Sequence, residues 1–466
     1  MSLPGHFDFD VAVIGGGSAG YAAASAVARG GQRTVVIEGG PEVGGLCILR
    51  GCMPTKALLY AAEVKHLAEH ASTWGLQVPA VRFDFAQVMA RKNAMIGDFA
   101  SYRRQQLESG KFQFIRSRAR FVDPHTVELE DGHRLTSAHF VITTGSVVAA
   151  PPLPELKTVG FLTSDDAMTM TRLPDSLIML GGGAVAVEFA QFFARFGVKV
   201  TLLQRSAHVL RDFDPDAAEV MEAVFRREGI ELFTGTRLLH ARGEGGLKHV
   251  TFEHEGQVRV VAAQEIFHGL GRAPNTAGLA LAKAGVALDQ RGRITTDLGM
   301  RTTAPHIFAA GDCTGPHEIV HLAIQQGEVA ARNILDATAP TRMDYRLLIS
   351  IVFTDPQVAC VGLTEAQAKS QGRAVMVASY PFADHGKSLL MEAKDGFVKL
   401  LADPQSGEIL GGACVGPSGG ELIHEIVVAM AGRMTVSELA TMPHYHPTLA
   451  EIWTYPAEEL AARVGK

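Results

Sequence analysis

Two glycine-rich turns, each leading from an apolar strand pattern into an alanine-rich helix pattern, constrain this chain more than any other feature. Phe9-Asp10-Val11-Ala12-Val13-Ile14 reads as a buried strand, and Gly15-Gly16-Gly17-Ser18-Ala19-Gly20 opens the helix. Gly15 permits the tight turn, Gly17 lets a pyrophosphate approach the backbone, and Gly20 lets the helix pack closely on the strand. A second strand, Thr34-Val35-Val36-Ile37, ends in Glu38, whose carboxylate suits ribose hydroxyls. The pattern recurs in the strand Ser176 to Leu180, in Gly181-Gly182-Gly183-Ala184-Val185-Ala186 with Ala186 in the third position, and in an apolar helix through Phe196. The following strand, Lys199 to Leu203, ends at Gln204. Glu38 and Gln204 each lie 23 residues after the first glycine of their turn, so the internal repeat is in register.

The two tips differ in charge. Glu38 would repel a 2′-phosphate, whereas Gln204 is uncharged and is followed by Arg205 and Arg211, which would accept one. The second site therefore reads as one for NADPH in preference to NADH. The alternative reading of Arg205 and Arg211 is as ordinary solvated surface charges, the usual fate of arginine. A chain with two dinucleotide sites uses one to hold a flavin, as FAD, and the other to deliver hydride to it. The redox centre is expected between them.

At 466 residues the chain is too long for one ordinary core, and about three domains are expected. Its 47% apolar and 20% charged residues have the balance of a globular enzyme. The formal net charge of -6, with no basic cluster, gives no support to a nucleic-acid or membrane partner. The apolar stretch Val11 to Ala28 is preceded by Asp8 and Asp10 and broken by glycines, which excludes a span or signal peptide there. The expected compartment is the reducing cytoplasm, where closely spaced cysteines carry redox or metal chemistry more often than structural disulfides.

Two of the five cysteines cluster, in Gly44-Gly45-Leu46-Cys47-Ile48-Leu49-Arg50-Gly51-Cys52-Met53-Pro54-Thr55-Lys56. On a regular helix their side chains would point about 140° apart, so a disulfide needs a distorted backbone, which Gly44, Gly45 and Gly51 allow. Pro54 suits a helix first turn. That would place Cys52 near the positive end of a helix dipole, where the thiolate is favoured. Zinc would need two further ligands, and Cys313, Cys360 and Cys414 stand isolated; they read as core residues and no metal is expected.

This segment resembles the active-site segment of the class I pyridine nucleotide-disulfide oxidoreductases, the group of dihydrolipoamide dehydrogenase, glutathione reductase and mercuric reductase. Similar motifs continue through Ile142-Thr143-Thr144-Gly145, Gly271-Arg272-Ala273-Pro274-Asn275-Thr276, Ala310-Gly311-Asp312 and His446-Pro447-Thr448-Leu449-Ala450-Glu451. The resemblance implies that Cys47 attacks substrate while Cys52 lies against the flavin. It implies that Asp312 binds the flavin ribityl chain, that Gly145 and Gly271 are cofactor-binding positions, and that Lys56, paired with Glu188, sits near flavin N5. A fixed ammonium there would stabilise an electron-rich reduced flavin. Thiol–disulfide exchange also needs a proton donor and acceptor, a task matched to imidazole. Of His424, His444 and His446, only His446 carries the Pro-Thr-x-x-Glu continuation, and Glu451 would orient its ring.

The expected fold is α/β, with two Rossmann-like dinucleotide-binding domains, for FAD and NAD(P), and a C-terminal α+β dimerisation domain. The resemblance and the sequence breaks place a first part of the FAD domain at 1–148, the nicotinamide domain at 149–270, the second FAD part at 271–342 and the interface domain at 343–466. The hinge Ala149 to Pro154 is proline-rich; the strand pattern Phe397 to Leu401 and the helix pattern Glu421 to Ala431 fit the α+β tail. In the relatives the histidine reaches the cysteine pair of the other subunit, which implies a homodimer with shared active sites. The leading expectation is a disulfide reductase of dihydrolipoamide dehydrogenase type acting on a small-molecule disulfide, although Arg205 fits poorly with that enzyme's use of NAD. A mercuric reductase-like metal-ion reductase is the first rival, because Leu203 to Ser206 and Val352 to Ala359 resemble that branch. Against it, the sequence closes Ala461-Ala462-Arg463-Val464-Gly465-Lys466 without a vicinal cysteine pair. A glutathione reductase-like NADPH enzyme and a non-enzymatic flavin-binding redox sensor are the others.

Overall fold

The computed structural model describes residues 7–466, so the first six residues of the expected FAD domain lie outside the described residues. The chain folds as two compact units. One contains the described residues up to Thr55 together with Met89–Ala150 and Arg272–Met343; the other contains Lys56–Val88, Pro151–Gly271 and Asp344–Lys466.

The early elements, in chain order, are β1 (Phe9–Ile14), α1 (Ser18–Arg29), β2 (Thr34–Glu38), α2 (Leu46–Leu49), α3 (Cys52–Glu69), α4 (Phe85–Leu107), β3 (Gln113–Arg116), β4 (Ala119–Asp123), β5 (Thr126–Leu129) and β6 (Arg134–Ile142). The sheet of the first unit runs β3-β2-β1-β6-β5-β4, and the strand Ile307–Ala309 also pairs with β6. β1 is parallel to both neighbours, in the register Val11↔Thr34 and Val11↔His139. Val11, Ala12, Val13 and Ile14 are all buried, as a central parallel strand covered on both faces requires. Helix α1 turns Ala19, Gly20, Ala23, Ala24 and Val27 inward. These small side chains allow a close crossing with the helix Val320–Leu335, where a Cβ on Gly327 would fall 2.4 Å from the Ala19 carbonyl oxygen.

The second unit repeats the device. Its parallel sheet has the order Glu231–Phe233, Lys199–Leu203, Ser176–Leu180, Glu265–His268. On it lies the helix Ala184–Arg195, whose Phe189 meets Phe267 at a 5.0 Å ring separation. An antiparallel meander, Arg237–Glu244, Leu247–His254 and Gln257–Ala263, covers the other face through Ala241, Val250 and Phe252.

The C-terminal part of this unit is a five-stranded antiparallel sheet in the order Ile349–Val352, Gln357–Gly362, Ile409–Gly416, Phe397–Ala402, Met376–Pro381. Helices Gly419–Ala431 and Thr454–Ala461 pack on it around the fully buried Trp453, whose indole N–H donates to the Leu422 carbonyl at 3.2 Å. The expected α/β class, with two Rossmann-like halves and a C-terminal α+β portion, is therefore the observed one. Among the described residues no helix is long and apolar enough to cross a membrane.

Candidate active site

In the first unit the glycine turn closes around its own backbone. Gly15 has φ +111°, and a Cβ there would lie 2.4 Å from the Thr143 carbonyl oxygen; one on Gly20 would lie 1.9 Å from the Gly15 oxygen. Thr143 pins the turn by donating its hydroxyl to the Gly15 carbonyl at 2.8 Å. The Glu38 carboxylate accepts the Gly16 N–H at 2.7 Å and the Gly40 N–H at 2.6 Å, which fixes the acidic tip over the turn. This cradle, closed to side chains at Gly15 and Gly20 and opening at the positive end of α1, fits a dinucleotide pyrophosphate such as that of FAD. Further along, Gly145 has φ +70° and Gly271 has φ +106°. The Asp312 carboxylate accepts the Ser146 hydroxyl at 2.6 Å, and Ser146 Oγ in turn accepts from Arg272 Nε at 2.7 Å. That chain orients Asp312 from behind.

The cysteine loop is tied to the same turn. Gly45 adopts φ 77° and ψ 164°, a region open almost only to glycine, and a Cβ there would lie 2.8 Å from Gly17 Cα. Gly45→Ala is therefore expected to destabilise the protein by about 1–3 kcal/mol or more. The loss would be read as a lower denaturant midpoint together with weaker FAD retention. Cys47 sits half-buried in the short helix α2, and Cys52 is the first residue of the 18-residue α3. The backbone breaks at Arg50–Gly51, between α2 and α3, so the two cysteines do not share one regular helix. One residue not anticipated from sequence is Arg103 of α4. Its guanidinium lies 4.3 Å from the Tyr21 ring centroid; burial pushes its pKa down, and the charges of Tyr21 and Cys47 partly offset this.

The second glycine turn has the same plan with a different tip. A Cβ on Gly181, at φ +106°, would lie 2.4 Å from the Gly269 carbonyl oxygen, and one on Gly269 would lie 2.8 Å from the Ala186 Cβ. Gly183 caps the helix Ala184–Arg195 and faces open space. Gln204 is buried at the strand tip, its amide donating to the His208 carbonyl at 3.3 Å and accepting the Arg205 N–H at 3.0 Å. The Arg205 and Arg211 side chains are exposed, with Arg211 3.6 Å from Asp212.

Lys56 and Glu188 meet as the family pattern implied. The ammonium donates to both carboxylate oxygens, at 3.0 and 2.9 Å. Two partners from outside those motifs complete the arrangement: the Phe353 backbone N–H donates to Glu188 at 2.9 Å, and the Phe353 ring lies 4.6 Å under the ammonium. Glu188 is almost fully buried while Lys56 is partly open, so the charge is held at a fixed point with one side exposed.

His446 and Glu451 also form a pair. Nδ1 of His446 lies 3.1 and 3.0 Å from the two oxygens of Glu451, which is buried, while the imidazole itself is 76% exposed. A carboxylate only accepts, so Nδ1 carries the hydrogen and Nε2 is the atom presented for proton transfer. The neighbouring His444 is held differently. Its Nε2 is 2.6 Å from Glu425 and its Nδ1 3.0 Å from the Met442 carbonyl, with the side chain buried, so both nitrogens are engaged. His424 Nδ1 meets the Gly420 carbonyl at 2.8 Å. The buried His385, absent from the sequence reading, lies on the far side of Glu451. Burial pushes the Cys313 thiol up to about 11 and the Cys360 thiol up to about 12, and raises that of Cys414 further, so these three are inert at neutral pH.

Two family models cover nearly the whole of this architecture. Residues 9–327 match the pyridine nucleotide-disulphide oxidoreductase model, and residues 348–457 match the dimerisation domain of the same family. The chain belongs to the pyridine nucleotide-disulphide oxidoreductase family. It is 34% identical to a dihydrolipoyl dehydrogenase from Geobacillus stearothermophilus, over 96% of this chain and 95% of that one. It is 36% identical to a mercuric reductase from Streptomyces lividans, over 100% and 98%. Among solved structures it resembles the HOCl-induced flavoprotein disulfide reductase RclA from Escherichia coli, with a TM-score of 0.85, 27% identity, and 96% and 99% coverage. It also resembles LpdA from Mycobacterium tuberculosis, with a TM-score of 0.87, 29% identity, and 97% and 99% coverage. This pyridine nucleotide-disulphide oxidoreductase is thus a flavoprotein of the disulfide oxidoreductase class, and its family implies FAD and a pyridine nucleotide.

Proposed function

We propose that the chain is an NADPH-dependent disulfide reductase of dihydrolipoamide dehydrogenase type, acting on a small-molecule disulfide as a homodimer. The observation that carries this reading is the His446–Glu451 pair, an oriented imidazole of the kind that thiol–disulfide exchange requires. FAD in the first cradle would take the electron pair of a hydride from the nicotinamide and pass it to the cysteine pair. Lys56, fixed by Glu188 and Phe353, provides the positive charge that the reduced centre needs. His446 Nε2 first takes the proton of the Cys47 thiol; the resulting thiolate attacks one sulfur of the substrate, and the departing thiolate receives that proton back from Nε2. Cys52 attacks the Cys47 sulfur, releasing the second substrate thiol and closing the Cys47–Cys52 disulfide. The cysteines and the histidine belong to one catalytic cycle if the histidine comes from the partner chain, which the matched dimerisation domain supports. A metal-ion reductase has no use for such a proton donor, so the dyad favours disulfide reduction over mercuric chemistry.

The reading is tested by assaying lipoamide, glutathione, other low-molecular-weight disulfides and mercuric ion with both nicotinamides. Turnover of a disulfide supports it. A protein that takes up FAD yet reduces nothing in this panel would be a redox sensor instead. Preference for NADPH rests on Gln204, Arg205 and Arg211. A charge-assisted contact with the 2′-phosphate contributes on the order of 1.5–3 kcal/mol, or roughly ten- to a hundredfold in kcat/KM. Arg205→Ala is expected to erase most of that preference, and equal or better kcat/KM with NADH in the unaltered enzyme would refute the assignment.

A further inference from the structure

Glu451 serves two imidazoles. Its Oε1 lies 3.1 Å from Nδ1 of the exposed His446 and 3.4 Å from Nε2 of His385, which is completely buried. The second contact lacks hydrogen-bond geometry, so buried Nε2 makes no hydrogen bond and is drawn to the carboxylate electrostatically. On its other side His385 presents Nδ1 to the Ser388 hydroxyl at 2.8 Å. The ring is boxed in by Phe382 and Tyr455, both edge-on at 6.4 Å between centroids.

These contacts fix the tautomer. A carboxylate cannot donate, so the nitrogen facing Glu451 bears the hydrogen, and the Ser388 hydroxyl donates to Nδ1. Burial pushes the pKa of His385 down, with only partial compensation from Glu451, so its ring remains a neutral donor. One carboxylate between two imidazoles therefore has an asymmetric role: the exposed ring exchanges protons and the buried ring holds the carboxylate in place.

We propose that His385 is a positioning residue for thiol–disulfide exchange, orienting Glu451 so that both carboxylate oxygens face His446 Nδ1. This rests on the disulfide reductase reading above. His385 lies on the turn between the strand Met376–Pro381 and the short helix Gly386–Leu390, 66 positions before Glu451 and outside the His446–Glu451 motif. Its contribution acts on the proton given to the leaving thiol, so it matters most when that thiol is strongly basic.

Two probe disulfides separate this role from a purely structural one. Lipoamide releases an alkyl thiolate that needs a proton, whereas 5,5′-dithiobis(2-nitrobenzoate) releases an aryl thiolate that leaves without one. His385→Asn should lower the ratio of lipoamide to aryl-disulfide turnover about two- to threefold, less than a well-formed hydrogen bond would give, through kcat more than KM. His385→Gln, whose longer amide still reaches Glu451 as a donor, should recover most of the ratio. If the Asn variant does not fold, Ser388→Ala removes the group that holds the tautomer and should lower the same ratio about twofold or more. Equal losses on both probes, equal losses in the Asn and Gln variants, or a ratio unchanged in Asn (or in Ser388→Ala, where that variant decides) would overturn the proposal. His446→Ala is the control for the underlying reading. If it leaves the ratio unchanged, or if the unaltered enzyme reduces neither probe, the dyad assignment itself fails and the inference falls with it.

Discussion

His446→Ala slows reduction of an alkyl disulfide by about 10²–10⁴-fold, the usual worth of a positioned acid–base group, while the NADPH half-reaction proceeds at its normal rate. Glu451→Gln shows a smaller loss, because the imidazole remains but its orientation and basicity suffer. The decisive form of the experiment uses two crippled chains. In a heterodimer of one Cys47→Ser chain and one His446→Ala chain, sites shared between subunits segregate the defects: one site carries both and the other carries neither. Mixing the two inactive homodimers under subunit exchange then restores activity, to about half the wild-type rate per heterodimer if the sites are independent. Verified heterodimers without recovery would show that cysteine and histidine act within one chain.

Cys47→Ser and Cys52→Ser each abolish disulfide turnover, but they part company in their spectra. The Cys47→Ser protein retains a thiolate at Cys52, the start of α3, where the helix terminus favours the anion. In the FAD-bound protein that thiolate is expected to give a long-wavelength absorbance without added reductant. The Cys52→Ser protein should lack it. The reverse pattern would exchange the roles assigned to the two cysteines.

Lys56–Glu188 and Asp312 enter only through the family resemblance; the parts of the site that the residues themselves announce are those whose chemistry is local in sequence. The glycine turns announce themselves because strand, turn, helix and tip lie within about 30 residues and because the backbone geometry at their tightest positions admits only glycine. At Gly15 and Gly20 an added Cβ would lie within 2.4 Å of a carbonyl oxygen. Cys47 and Cys52, five apart, and His446 and Glu451, also five apart, were visible for the same reason. His385 was not, because a turn far along the chain delivers it to Glu451 and nothing beside it marks its burial. Phe353 was hidden in a different way: its backbone N–H, which no side-chain pattern reports, completes the coordination of Glu188. Arg103 sits in a helix that reads as largely polar and solvated, and only tertiary packing lays it over Tyr21.

The discontinuity of the first unit has a bearing on how the protein is made. Its sheet receives Ile307–Ala309 beside β6, in the register Ile307↔Phe140, and α1 gains the helix Val320–Leu335 only afterwards. By residue 300 of this sequence the cysteine loop and both glycine turns have been made, yet the compact unit that contains Cys47 and Cys52 still lacks a strand and a covering helix. The first unit therefore completes its sheet and covers α1 only once the segment through Leu335 has been made.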